Sequence, residues 1–225
     1  MNGDSQGRDQ SHAEPEAVSF DLFGTLVAVD AEESTQMRLA SALRCRDVPV
    51  PDDWRRAYAE VHLDVQPGRE LSLPRHVRAA LESRGVDVDE KRREHIQKAV
   101  LDAFDCPTRT RDGARETVER VARAYPVGIL SNCSVPGLVE QTIEQSAFER
   151  STFDSVVSSV DCGWRKPDRR AFTTIADELD TAVDSLVHVG DDPDADGGAR
   201  VAGATAILLD DTPITAVPGV LEGCP

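Results

Sequence analysis

Four short stretches of this chain hold side chains that could do chemistry together. Asp21 closes the apolar run Ala17-Val-Ser-Phe20, and Ser131 and Asn132 follow Leu130. Lys166 stands beyond Val160, and Asp191 and Asp192 follow Val189-Gly190. A hydroxyl, an ammonium and several carboxylates make an active-site inventory, provided that the fold gathers them at one edge. A lone carboxylate after a strand is an ordinary turn residue, so the elements between these stretches decide the matter.

The segment from Ala17 to Leu26 reads as a short buried strand that ends in a Gly-containing turn. From Asp30 to Pro107 the pattern becomes helical. Met37, Ala40 and Leu43, then Trp54, Tyr58 and Val61, then Val77, Ala80 and Leu81 recur at spacings of three and four. Pro49, Pro51, Pro67, Gly68, Pro74 and Gly85 divide this block into about four helical segments.

After Pro107 strands and helices alternate. Strands are expected at Val127–Leu130, Ser155–Val160, Leu186–Val189 and Thr205–Leu209, with helices at Ala114–Tyr125, Ala171–Leu179 and Ala195–Ala202. Such alternation predicts an α/β fold, a doubly wound, Rossmann-like parallel sheet with helices on both faces. The early helical block is then an insertion. The expected division is a disordered acidic tail at 1–16, a core at 17–29 and 108–225, and an all-helical insertion at 30–107. In open parallel sheets ligands gather outside the carboxyl ends of the strands, where all four stretches would lie.

Phe20-Asp-Leu-Phe-Gly-Thr-Leu26, Leu130-Ser-Asn132, Lys166-Pro167 and Gly190-Asp-Asp-Pro-Asp-Ala-Asp196 followed by Gly198-Ala199 resemble the four ordered motifs of the haloacid dehalogenase superfamily. The resemblance spans about Ala17 to Val29 and Asp112 to Leu209, and the helical insertion is similar to the cap domain of many members. It implies a hydrolase in which Asp21 attacks substrate to form a covalent aspartyl intermediate, splitting one hard displacement into two easier ones. Ser131 would bond a substrate oxygen and Lys166 would neutralise developing charge. Thr25 and Asn132 are implied as substrate-binding residues. Asp196 would brace Lys166 or its own loop, with Asp192 as a further supporting residue.

Like charges crowded at one edge repel unless a cation joins them, and hard oxygen ligands with one or two carboxylates suit Mg²⁺. The resemblance names its ligands as Asp21, the main-chain carbonyl of Phe23, and Asp191. Phe23 is also a departure. Phosphatases of the superfamily carry there a second aspartate that protonates the leaving alcohol, a transfer worth roughly 10²–10⁴ in rate. An aromatic residue at this position matches the dehalogenases instead, whose halide leaves without a proton. Those enzymes work without metal and typically lack the Gly-Asp pair that Gly190-Asp191 preserves, and the only basic residue soon after Asp21 is Arg38. Magnesium-dependent hydrolysis of a small phosphate ester is the favoured reading, with acyl or aryl phosphates tolerating the missing acid. Dehalogenation of a 2-haloacid and a non-catalytic binding role are the alternatives. A phospho-accepting receiver domain shares the Asp, Ser, Lys and metal grammar, but the long helical block after the first strand disfavours it.

Composition narrows the partners. Against 25 Lys plus Arg stand 41 Asp plus Glu, for a net charge of -16 over 225 residues, which disfavours nucleic acid and anionic membranes as partners. The longest uncharged stretch, Ala124 to Val139, contains Pro126 and Pro136 and does not amount to the ~20 apolar residues of a bilayer span. The polar N-terminus lacks the apolar core of a secretory signal. Five scattered cysteines without a C-x-x-C pair fit reduced thiols in a cytoplasm. No motif speaks to oligomeric state.

Only Lys91, Lys98 and Lys166 are lysines, so 22 of the 25 basic residues are Arg. High acidity with scarce lysine resembles adaptation to a salt-saturated cytoplasm, where screening blunts repulsion among carboxylates. It also makes Lys166 notable as a retained point charge. Cys133 and Cys162 have no nearby His to activate them and are expected to pack. His62, His76 and His95 are expected on polar faces of the insertion, with Trp54 and Tyr58 in its core.

Overall fold

The computed structural model describes residues 14–29 and 33–223, so most of the expected tail and the first residues of the helical block lie outside it. Five strands form the central sheet: β1 (Ala17–Phe20), β4 (Val127–Ser131), β5 (Ser155–Ser158), β6 (Leu186–Gly190) and β7 (Thr205–Leu208), in the order β5-β4-β1-β6-β7. All their pairings are parallel, with Phe20 opposite Ile129 on one side and Val189 on the other. Every residue of β1, β4 and β6 is buried, as runs covered on both faces require.

Alternation along the strands splits the core into two layers. Val18, Phe20, Val127, Ile129, Val187 and Val189 face α5 (Ala114–Val121), α6 (Leu138–Gln145) and α10 (Val217–Glu222). Ala17, Leu130 and Leu186 face α8 (Arg169–Glu178) and α9 (Gly198–Ala202). The chain runs outward from β1 through β4 to β5 on one side and through β6 to β7 on the other. The strand order therefore reverses at β1, where a crevice must open beyond the carboxyl ends.

A two-stranded antiparallel ribbon leads out of the core and back. β2 (Val27–Val29) pairs with β3 (Thr108–Thr110), Val27 opposite Thr110, and between them lie α1 (Thr35–Cys45), α2 (Trp54–Ala59), α3 (Leu73–Glu82) and α4 (Glu90–Ala103). Leu39 and Leu43, Trp54 and Ala57, Val77 and Leu81, and Ile96 and Val100 form the buried stripes of these helices. Trp54 and Tyr58 do share a face, their ring centroids 5.6 Å apart. His62, His76 and His95 bond the carbonyls of Ala57, Tyr58 and Arg46 as ties within the insertion.

Several expected boundaries shift. Met37 is 53% exposed and Val61 91% exposed. The buried stripe of α1 runs through Leu39 instead, and α2 ends at Ala59, which leaves Val61 beyond the helix. The strand expected at Ser155–Val160 stops at Ser158, because the Ser158 side chain accepts from Asp161 N and starts the helical turn α7 (Ser159–Cys162). The helix expected from Ala195 begins at Gly198.

Candidate active site

The reversal of strand order puts the ends of β4, β1 and β6 side by side, and with them Ser131, Asp21 and Asp191. The amide of Asp21 donates to Val189 O at 2.8 Å, which ties the first turn to the neighbouring strand. That turn requires Gly24, whose φ is +90° and where a Cβ would collide with the Asp191 carboxylate.

Lys166 arrives from the loop between α7 and α8. Asn132 fixes it by a pair of main-chain bonds, accepting from Lys166 N at 2.8 Å and donating to Lys166 O at 2.9 Å. The Lys166 ammonium is buried and donates to Asp21 Oδ1 at 2.7 Å and to Asp196 Oδ1 at 2.6 Å. Lys91 and Lys98 are exposed, so the one buried lysine is the one between two carboxylates.

Asp196 is fully committed. Besides Lys166 it bonds His188 Nε2 through Oδ1 at 3.0 Å, and its Oδ2 accepts from Asp192 N at 2.9 Å. Asp192 is exposed and turns the loop by accepting from the amides of Asp194 and Ala195. His188 extends the chain of bonds inward, its Nδ1 lying 2.8 Å from Ser19 Oγ. Ser19-His188-Asp196-Lys166-Asp21 is thus one continuous buried polar line, and such lines are stable only when their members are paired.

Electrostatics follow the geometry. Burial pushes Asp21 up to about 6, against the pull of Lys166 and with the repulsion of Asp196 and Asp191 added. Burial alone would raise Asp196 too, but His188 and Lys166 hold it well below the usual carboxylate range. Burial, reinforced by the Lys166 charge, lowers His188 to about 4, so its ring is neutral. A neutral ring that donates from Nε2 to Asp196 accepts at Nδ1, which fixes the Ser19 hydroxyl as donor. Burial pushes Cys133 up to about 11, as a packed thiol and not a nucleophile.

A cleft of about 190 Å³ opens on this line, walled by Asp21, Phe23, Ser131, Asn132, Lys166, Asp191, Asp192, Ala195 and Asp196. The Ser131 hydroxyl is buried at its wall without a hydrogen-bond partner among the described residues. A buried orphan hydroxyl is costly unless a ligand satisfies it. Thr25 and Asn132, expected to bind substrate, each make hydrogen bonds within the site, and Asn132 also lines the cleft. Thr25 is fully buried and gives its hydroxyl to Asp191 Oδ1 at 2.8 Å, and Asn132 is spent on the main chain of Lys166. Both brace the reactive groups.

Residues 15–203 match the haloacid dehalogenase-like hydrolase family. The chain belongs to that family. It is 37% identical over 99 residues to phosphatase MT3486 of Mycobacterium tuberculosis (strain CDC 1551 / Oshkosh), a match over 43% of this chain and 45% of that one. The chain therefore spans under half the length of this curated relative. Its fold is that of 2-haloacid dehalogenase from Pseudomonas syringae pv. Tomato DC3000, with 23% identity, a TM-score of 0.66, and coverage of 92% and 98% of the two chains. A predicted phosphoglycolate phosphatase from Haemophilus somnus 129pt shares it at 14% identity, a TM-score of 0.58, and the same coverage.

The donor set of this haloacid dehalogenase-like hydrolase fits a hard cation. One carboxylate oxygen each of Asp21, Asp191 and Asp196 lie within 4.8 Å of one another. With Asp196 committed to Lys166, His188 and the Asp192 amide, Asp21 and Asp191 are the two carboxylates left to meet an ion, and oxygen ligands of this kind suit Mg²⁺. Sequence reasoning missed His188 and Ser19. The signal was there: a histidine at the middle of the apolar strand Leu186-Val-His-Val-Gly190 must find partners inside the core.

The insertion reaches the site as well. Leu73 N donates to Ser134 O at 2.7 Å, Glu70 N to Gly163 O at 3.1 Å, and Arg165 N to Gly68 O at 3.0 Å. Residues 68–73 thus seat on two loops, the one that follows Ser131 and the one that carries Lys166. Arg69 and Arg170 lie over the Trp164 ring, 4.0 and 3.2 Å from its centroid, and clamp the same seat.

Proposed function

We propose that this hydrolase cleaves small phosphate esters through a covalent intermediate on Asp21. The observation that carries the reading is the buried Asp21 carboxylate paired with Lys166, in one cleft with an unsatisfied Ser131 hydroxyl and a second carboxylate, Asp191. A carboxylate oxygen of Asp21 attacks phosphorus and the bond to the leaving oxygen breaks, its electron pair departing with that oxygen. Ser131 donates to a phosphoryl oxygen, and Lys166, held by Asp196, offsets charge gathering there. Water then attacks phosphorus, releases phosphate and returns Asp21. Mg²⁺ held by Asp21, the Phe23 carbonyl and Asp191 would supply the remaining positive charge beside the phosphoryl group.

The helical insertion at 30–107 serves as a cap that selects substrate. The phosphatase relative supports phosphoester chemistry. A cytoplasmic, salt-rich setting suits the acidic, lysine-poor surface. Among the described residues no helix is long and apolar enough to cross a membrane.

Phe23 favours a second reading, 2-haloacid dehalogenation, since a halide needs no acid to leave. Asp21 would then attack carbon. Against it stand Asp191 and its Thr25 brace, which a metal-free displacement does not use. The deciding experiment assays the purified protein in high salt against acyl phosphates, aryl phosphates and 2-haloacids, with Mg²⁺ or with chelator. Phosphate release only with Mg²⁺, falling at least ~10³-fold in Asp21→Asn, is the expected result. Halide release in chelator would replace it with the second reading, and full activity of Asp21→Asn would end both.

A further inference from the structure

A second cavity, of about 340 Å³, adjoins the catalytic cleft and shares Phe23 and Asn132 with it. That is within the size range of small-molecule sites. Its wall is largely apolar, built by Phe23, Val29, Phe104, Val135 and Leu138, and among the described residues it holds one cation, Arg38.

Arg38 is held in place. Its Nη1 donates to Ala103 O at 2.7 Å and Cys106 Sγ at 2.6 Å, and its guanidinium lies 5.3 Å from the Phe104 ring centroid. Its Nε is buried without a partner, and among the described residues no carboxylate lies within 4.0 Å of it. A positioned cation with a buried unmet donor, in an apolar wall, is stabilised when an anion enters.

This cavity meets the catalytic cleft at Phe23, the residue that cannot protonate a leaving group. The two facts have a common solution. Resting on the phosphoester reading, we propose that the cavity takes the leaving group of the substrate and that this group is a phenol-type aromatic alcohol. The phosphorus–oxygen bond breaks with its electron pair on the aryl oxygen, no proton is transferred, and the aryloxide forms in a cavity whose charge is Arg38. The ring delocalises the charge and fills the apolar wall, and the aryloxide takes its proton from water after release. Arg38 replaces by charge what an acid at residue 23 would do by proton transfer.

The test measures kcat/KM in Mg²⁺ for substituted phenyl phosphates, for hexyl phosphate and for acetyl phosphate, and separately titrates 4-nitrophenolate by its absorbance change. Phenyl phosphate is expected to exceed hexyl phosphate by about 10² or more, the range an acid would otherwise bridge. Arg38→Met is expected to lower phenyl phosphate about tenfold or more beyond its effect on acetyl phosphate, and to steepen the dependence on phenol acidity. Arg38→Lys should recover part of that loss. Leu138→Trp, which narrows the cavity without touching Arg38, should raise KM for aryl substrates above all.

Equal turnover of hexyl and phenyl phosphates, or equal loss on acetyl and phenyl phosphates in Arg38→Met, overturns the assignment. If no phosphate is hydrolysed yet 4-nitrophenolate binds wild type and not Arg38→Met, the cavity stands as an aryloxide site and the phosphoester reading falls. If acetyl phosphate is hydrolysed and 4-nitrophenolate does not bind, the reverse holds.

Discussion

The sheet edge and the cavity under the insertion are neighbours built on opposite principles. At the edge, Asp196 alone accepts from Lys166, His188 and the Asp192 amide, and Asp191 and Lys166 are each held by a further side chain. In the cavity the wall is mostly apolar and one guanidinium retains an unmet donor. A network of directed bonds tolerates one charge arrangement only, which suits a fixed reaction step. An apolar wall with one charge is defined by shape and volume, which suits choice among leaving groups. On the proposed function, the reaction belongs to the core and the selection to its border with the insertion.

The sharpest way to break this contrast is Asp196→Asn. The change leaves Lys166 with one carboxylate and His188 opposite an amide, and all three positions are buried. Removing one partner of a buried ion pair costs about 3–5 kcal/mol, and urea denaturation of the variant should show a loss of that order. A loss within a few tenths of a kcal/mol would mean that the line of buried bonds is not what holds the edge.

Next in size is the acid response of His188. Its folded value is lowered to about 4 from 6.5, so between those values the unfolded chain binds a proton that the folded chain refuses. The associated stability is complete above pH 6.5 and drains as pH falls toward 4. Asp21 acts oppositely: raised from 3.8 to about 6, it lets the folded chain bind the extra proton, and its share drains as pH rises through that window. The two offset each other in metal-free protein. His188→Gln, which keeps a donor toward Asp196 without the titration, leaves Asp21 unopposed. The variant should therefore gain roughly 2–3 kcal/mol relative to wild type between pH 7 and pH 4.5, measured in chelator. Parallel stability profiles would show that His188 does not titrate as a buried neutral ring.

How much of this was readable in the chain depends on what kind of information each feature uses. Asp21, Ser131 and Asp191 end apolar runs, and a run's end is visible in sequence and becomes a sheet edge in space. The partners of Thr25, Asn132 and His188 are 166, 34 and 8 residues away, so their targets are set by loop packing that no local pattern records. The place of His188 within the apolar strand Leu186-Val-His-Val shows that it needs a buried partner but does not say which. The ribbon of β2 and β3 is three residues a side, too short for alternation to register. Met37 and Val61 carried a helical spacing that tertiary packing overrode.

A smaller effect separates binding from scaffold at the edge itself. Ser131→Ala removes a buried hydroxyl that has no partner among the described residues, so the variant should lose about tenfold to hundredfold in kcat/KM while its stability holds or rises slightly. Stability lost together with activity would place the hydroxyl in the scaffold beside Asn132.

The smallest expected effect marks where the contrast ends, at the exposed side of the insertion. Arg46 reaches from the end of α1 to Asp102 on α4, with Nε at 2.7 Å and Nη2 at 2.5 Å from Oδ2, but about a third and a half of the two side chains are exposed. Water and salt screen such a pair, and two side chains must be ordered to make it. Arg46→Met should cost no more than about 1 kcal/mol in urea denaturation at low salt, and the difference should fade in molar KCl. The same geometry that dominates at Lys166 is nearly idle here, because the interaction is set by the loss of water around a charge pair and not by its distance. A large, salt-independent loss would show instead that α1 and α4 depend on the pair, and the insertion would then share the directed bonding of the core.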